Sequence, residues 1–232
     1  METEIESLLE NKVKDKPIQK IFPKIWTKDS QQYGCLISSQ PYLSIHQNST
    51  ISFLTDHLVL TSATSICPEV INILKITSVI SCAAELPDMP LSSEIGYHKV
   101  NVSDSPHSDL SVYFGRATDL IHQVASVRGR TLVFCVAGIS RSATVCIAYL
   151  MRYCNLTLLE AYNYVKLRRP KIRPNCGFFE QLIAYEKKLF FNNTISMVFN
   201  EFIQMNIPEV YNQDYEIIKS FRYKKITDKF RS

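Results

Sequence analysis

TLVFCVAGISRSATVCIAYLMRY, residues 131–153, is the stretch from which the fold is read. TLVFC (131–135) is a short apolar run of the kind buried at the centre of a sheet. VAGIS (136–140) is a tight loop, and residues 142–153 form a nearly all-apolar helical segment that must itself be buried. A buried strand turning directly into a buried helix sets the pattern for the chain on either side.

Downstream, TLLEAYNYVKLRRP (157–170) is amphipathic, with Thr157 placed to cap it and Glu160 placed to complete a capping box. GFFEQLIAYEKKLF (177–190) predicts a further amphipathic helix. Upstream, residues 110–126 carry Leu110, Phe114, Ala117, Ile121 and Val124 on one helical face. HLVLTS (57–62), TSVISCA (77–83) and YHKVNV (97–102) read as strands, and PEVINILKI (68–76) as a helix with Pro68 in its first turn. Strands alternating with helices predict an α/β fold with a central mixed sheet of about five strands flanked by helices. Residues 1–50, charged and then Ser/Gln/Asn-rich, are expected to be a poorly ordered N-terminal extension. Residues 51–190 would form the folded domain and 191–232 a C-terminal extension with a basic end.

Composition fits that picture. Hydrophobic residues make up 46% of the 232 and charged residues 21%, enough for a core of useful size. The net charge of +4 is mild: it suits an anionic ligand such as phosphate without calling for nucleic acid. The longest apolar run is far too short to span a bilayer, and the opening METEIESLLENKVKDK is too charged for a secretory signal. Seven cysteines, an odd number with no C-x-x-C pair, predict free thiols in a reducing compartment and no structural zinc site.

The chemistry lies in Cys135-Val136-Ala137-Gly138-Ile139-Ser140-Arg141-Ser142. A loop bending from a buried strand into a helix N-terminus turns successive peptide N–H groups inward as an anion nest. The helix dipole adds about half a positive charge at that end. Gly138 permits the tight path, and Arg141 offers a planar fork of donors for two phosphate oxygens. Such a setting favours the thiolate of Cys135, aimed at a bound phosphorus, with Val136 to Arg141 cradling the phosphate. A bare C-x5-R is a weak signal. The strand before it and the buried helix after it give it weight.

This segment resembles the signature of the dual-specificity, protein tyrosine phosphatase-like enzymes. The likeness runs on through LLEAYNYVKLRRPKIRPNCGFFEQLIAYEKKLF and back to about Ile51. It is strongest to the small atypical members that lack a kinase-docking domain. The resemblance implies a phosphatase with Cys135 as nucleophile and no metal or other cofactor. It also implies an aspartate on the loop after the third strand as general acid, which here is Asp104 in VSDSPH (102–107). Asp109 is the rival, although its position suits a helix cap. Ser142 is placed to donate to the departing sulfur, to cap the helix, or both. Asn175, in RPNCGF (173–178), matches a family position that braces the phosphate loop and reads equally as a turn residue. Arg168, Arg169, Lys171 and Arg173 form a basic cluster that reads as a solvated helix end.

One departure stands out. The family usually carries histidine immediately before the nucleophile, and this chain has Phe134. The histidine helps hold the loop and favours the thiolate through hydrogen bonds, which phenylalanine cannot make. Reduced activity with an alkaline-shifted optimum is therefore expected. The alternative is a pseudophosphatase that binds phosphoproteins with little turnover. A thiol protease would need one of His98, His107 or His122 beside Cys135 and leaves Arg141 unexplained. Apolar Val136, Ala137 and Ile139, where phosphoinositide phosphatases often have lysines, favour phosphoprotein substrates. Without a long insertion to deepen the pocket, phosphotyrosine and phosphoserine or phosphothreonine are both admitted. The resemblance makes mitogen-activated kinases candidate substrates. The cytoplasm is the expected compartment, with nucleus and mitochondrion open, and oligomeric state is not encoded.

Overall fold

The structure is a computed structural model and describes residues 51–229. The expected disorder of residues 1–50 lies outside that range. Five strands form one sheet in the order β1-β2-β5-β3-β4: β1 (Ile51–Phe53), β2 (Leu58–Ser62), β3 (Ser78–Ser81), β4 (Gly96–Lys99) and β5 (Thr131–Cys135). All neighbours are parallel except β1, which runs antiparallel to β2. The helices are α1 (Pro68–Ile73), α2 (Phe114–Ser126), α3 (Arg141–Tyr153), α4 (Leu158–Arg168) and α5 (Cys176–Phe190). A hairpin, β6 (Met197–Asn200) and β7 (Met205–Pro208), and a last helix, α6 (Asn212–Lys229), complete the chain.

The α/β architecture and the mixed sheet agree with the sequence reading. β1 was not legible, because three residues are too few to display a period of two. The helix expected over 68–76 stops at Ile73, since Lys75 takes a left-handed conformation (φ 52°) that ends it. The capping box forms as predicted. Thr157 Oγ1 accepts from the Glu160 amide, and the Thr157 amide donates to Glu160 Oε2 at 2.9 Å.

Alternation along the strands divides the core. Leu58, Leu60, Ile80, Val133 and Cys135 face the larger core, which α2 to α5 cover. Val59, Val79, Leu132 and Phe134 face a smaller one, closed by Ile71 of α1 and by Leu86, Met89 and Leu91 of the following loop. α3 is buried along almost its whole length, as its apolar sequence requires. β5 lies between β2 and β3, so its carboxyl end opens at the middle of the sheet. In open α/β sheets that is where ligands bind.

A buried carboxylate ties the last part of the domain together. Glu186 of α5 is 1% exposed and accepts from the Leu158 amide at the start of α4, at 2.7 Å. It also accepts from the Thr194 amide and hydroxyl. Three donors and a helix N-terminus meet its charge, so removing it strands all of them. Glu186→Ala should lower stability by about 3 kcal/mol, read as a fall in the denaturant midpoint.

Candidate active site

The loop between β5 and α3 takes its shape from the strand it leaves. Cys135 continues the large-core side of β5, so its thiol faces α3, whereas Phe134 points to the opposite side of the sheet. The Gly138 amide donates to Cys135 Sγ at 3.2 Å and the Ser142 hydroxyl at 3.1 Å. The peptide N–H groups of Ala137, Ile139, Ser140 and Arg141 find no acceptor among the described residues. They line the turn that opens α3, the arrangement of an anion nest.

Gly138 has φ 66°, and a side chain there would run into the Thr61 carbonyl at 2.4 Å and the Arg169 guanidinium at 2.5 Å. Arg169 holds the other side of the same turn: its Nε donates to the Gly138 carbonyl at 2.6 Å and its Nη2 to the Ala137 carbonyl at 3.1 Å. This corrects the sequence reading of a solvated basic cluster. Arg169 is 2% exposed, and of the four only Lys171 is exposed, Arg168 and Arg173 being half-buried. The Arg168 guanidinium lies 3.6 Å over the Tyr164 ring.

Arg141, 3% exposed, has some of its donors engaged by the protein and one left without a partner among the described residues. Nη1 and Nη2 each donate to one oxygen of Glu85 at 2.7 Å, and Nη1 also donates to the Val102 carbonyl at 3.2 Å. That leaves one edge of the guanidinium, Nε–H with the remaining Nη2–H. Nε–H has no hydrogen-bond acceptor among the described residues. Its nearest anion is Asp104 Oδ2, at 3.5 Å. The free edge is the one that can grip two oxygens of a tetrahedral anion side-on. Burial opposes the charge of Arg141, but the Glu85 hydrogen bonds and the Cys135 sulfur outweigh it, and its pKa ends above the ordinary value. The same fork holds the Glu85 carboxyl down at about 2.

Asp104 sits over the loop with its two oxygens in different roles. Oδ1 accepts from the Ser140 hydroxyl at 2.7 Å and from Asn175 Nδ2 at 2.9 Å, while Oδ2 is left beside Arg141. The loop carrying it rests against α5 at Gly177, where any side chain would collide with the Pro106 carbonyl. Asn175 lies between the phosphate loop and the start of α5. Its Oδ1 caps α5 by accepting from the Phe178 amide, and its own amide donates to Ser140 Oγ at 3.2 Å. Asp109 instead accepts from the Ser111 amide and hydroxyl, closing a local turn.

Sulfur chemistry elsewhere is quiet. Burial pushes the Cys82 and Cys146 thiols well up, and both are fully enclosed behind the loop. Cys67, Cys82, Cys135, Cys146 and Cys176 are free thiols. No histidine approaches Cys135 Sγ as a hydrogen-bond partner among the described residues, and His122 is stacked on Tyr153. Among the described residues no three His, Cys, Asp or Glu side chains gather in a metal-holding group, and no helix is long and apolar enough to cross a membrane.

Comparison with known proteins gives the family of the chain that carries this site. The family model described as dual specificity phosphatase, catalytic domain, matches residues 58–188. This chain belongs to the dual specificity phosphatase family. Human dual specificity protein phosphatase 14 is 47% identical over 139 residues, 60% of this chain and 69% of that protein. Human dual specificity protein phosphatase 18 is 45% identical over 144 residues, 62% and 75% of the two chains. Among solved structures, human DUSP28 superposes with a TM-score of 0.58 at 32% identity, covering 61% of this chain and 95% of that one. Human tyrosine phosphatase-like serine/threonine/tyrosine-interacting protein gives 0.56 at 29%, covering 60% and 96%. The chain is accordingly a protein phosphatase acting on phosphorylated proteins.

Sequence reasoning missed Glu85 and Arg169. Glu85 had a usable signal, a lone acid just past the carboxyl end of a strand beside β5. Arg169 looked like part of a charged helix end, and only the fold reveals that it turns inward. Because the pKa of Glu85 is lowered, the ion pair is intact at any pH above about 4.5 and fails only as pH falls through about 2. Glu85→Gln should therefore weaken tungstate binding by roughly tenfold, and equally at every pH from about 5 to 8, in a calorimetric titration.

Proposed function

We propose that this phosphatase hydrolyses phosphotyrosine and phosphoserine or phosphothreonine in proteins through a cysteinyl-phosphate intermediate formed on Cys135. The observation that carries this reading is the convergence of the Gly138 amide and the Ser142 hydroxyl on the Cys135 sulfur, with Arg141 at the start of the following helix keeping an Nε–H that has no acceptor among the described residues. The nest from Val136 to Arg141 binds the three non-bridging oxygens, and Arg141 grips two of them side-on.

In the first step the Cys135 thiolate attacks phosphorus, the bond to the substrate oxygen breaks, and Asp104 protonates that oxygen. Its Oδ1 is already occupied by two donors, so the transferable proton sits on Oδ2. In the second step the Asp104 carboxylate takes a proton from water, whose oxygen attacks phosphorus, and the P–S bond breaks. Ser142 Oγ then donates to the departing sulfur from 3.1 Å. The rim residues Val136 and Ala137 are exposed and uncharged, which suits a phosphorylated side chain on a protein better than a polyphosphorylated headgroup.

A second reading, a phosphoprotein-binding pseudophosphatase with little turnover, draws on Phe134. It also draws on the structural neighbour described as a phosphatase-like interacting protein. Phe134 pairs in register with Thr61 on one side and Ser81 on the other, and all three face the small core. The buried Ser81 hydroxyl has no hydrogen-bond partner among the described residues. A histidine at 134 would sit beside that hydroxyl in register and could bond to it. Phenylalanine fills the volume and omits the bond, which supports reduced turnover rather than loss of the site.

Turnover of an aryl phosphate should be measurable in the purified chain and absent in Cys135→Ser. Phe134→His should raise the rate and extend activity toward lower pH. Phosphopeptide binding with no rate above Cys135→Ser would favour the second reading.

A further inference from the structure

We infer that the C-terminal extension is a working part of the active site, with Tyr211 and Asp214 as positioning residues that act through the tripeptide Arg173-Pro174-Asn175. The inference rests on the roles of Cys135 and Asp104 given above. Arg173 touches both the phosphate loop and the extension, Pro174 is held from the extension side, and Asn175 reaches the loop and the acid, so the tripeptide as a unit joins the two.

On the active-site side, the Arg173 amide donates to the Ile139 carbonyl at 3.0 Å, in the middle of the phosphate loop. The Asn175 amide donates to Ser140 Oγ and its side chain to Asp104 Oδ1, so Asn175 touches both the loop and the acid. On the other side, the Tyr211 hydroxyl donates to the Pro174 carbonyl at 2.8 Å. Tyr211 is 1% exposed and packs against Tyr162 and Phe179 of the main core, so its hydroxyl is a fixed point. The Arg173 guanidinium stacks 4.1 Å from the Tyr211 ring and 5.2 Å from the Tyr215 ring, and its Nη1 pairs with Asp214.

Charge explains why the extension is needed. Lys166, largely buried, donates to the Ile172 carbonyl at 3.0 Å, one residue before Arg173. Burial lowers the Lys166 pKa, and Arg173 adds to that, while Asp214 acts in the opposite sense. Two cations are thus crowded onto the segment that braces the phosphate loop, and Asp214, from the first turn of α6, is the anion facing both. Remove it and the two cations repel across the brace. The displacement is delivered where the loop and the acid are held, at Ile139, Ser140 and Asp104. Small errors of placement there are costly, with about 1 Å worth up to a hundredfold in rate.

The test uses the full chain with Asp214→Asn and Tyr211→Phe, and Asp214→Glu as the conservative variant. Three quantities are measured: thermal midpoint, kcat on phenyl phosphate and on 2,4-dinitrophenyl phosphate, and tungstate affinity. The first ester has a poor leaving group that needs the acid, and the second needs it little. The expected result for Asp214→Asn is a fall in kcat of about tenfold on phenyl phosphate. The fall on the dinitrophenyl ester should be smaller, tungstate binding should weaken several-fold, and Asp214→Glu should recover most of the loss. Tyr211→Phe should move the same readouts in the same direction. A lower thermal midpoint with kcat and tungstate affinity both at wild-type values would overturn the inference, leaving the extension as a brace for stability alone. Absence of Cys135-dependent turnover in the wild-type chain would instead count against the proposed function. Tungstate affinity then decides the present point by itself, weakened binding supporting it and unchanged binding overturning it.

Discussion

A peptide loop can aim its N–H groups at one point only if its carbonyls are engaged elsewhere. In this phosphatase that condition is met by Arg169, whose buried guanidinium takes the carbonyls of Ala137 and Gly138 from behind. Burial lowers the pKa of Arg169, yet a guanidinium stays charged under any condition in which the protein is folded. A fixed cation therefore stands at the back of the turn, and the amides of Ala137, Ile139, Ser140 and Arg141 are left facing forward. Gly138 is the residue that allows this close approach, because any side chain would occupy the place of the guanidinium or of the Thr61 carbonyl. The two contacts and the glycine form one constraint: lose either and the nest has no reason to stay open.

The second arginine solves a different problem. Arg141 has to present the same edge to every incoming phosphate, and a long side chain left free would lose much of its value to rotamer entropy. Glu85 takes its end-on fork and Val102 a further donor, so the remaining edge is held in place before any ligand arrives. Asp104 is fixed in the same manner, anchored through one oxygen by Ser140 and Asn175. Each reactive group thus has its spare hydrogen-bonding capacity consumed by neighbours, and what is left over faces the site. Pre-organisation of this kind is how a site made of flexible side chains can act without reorganising.

Much of this was legible in the sequence, for physical reasons that can be named. TLVFC and the apolar helix after it had to be buried, so their junction had to lie inside an α/β fold, and the spacing of Cys135 and Arg141 then had a specific meaning. Thr157 and Glu160 announced their capping box because that motif is local. Glu85 carried a signal, an acid just past the carboxyl end of a strand beside β5, but Arg169 and Asp214 were not recoverable, since each acts on residues distant in sequence and neither differs in kind from a surface charge. Arg169 was the clearest failure: four basic residues near a helix end look solvated until topology turns one of them inward. The hairpin beyond residue 191 also gave no pattern, as its strands are four residues long.

The account depends most on the claim that a phosphoryl group held by the nest is transferred to the sulfur beneath it. Rapid acid quench of the Asp104→Asn variant with an aryl phosphate bearing a good leaving group, followed by mass spectrometry of the digested chain, tests this directly. A phosphate adduct on the peptide containing Cys135, forming and decaying at rates that match turnover, is the predicted result. Turnover that proceeds with Cys135 never modified would contradict the account.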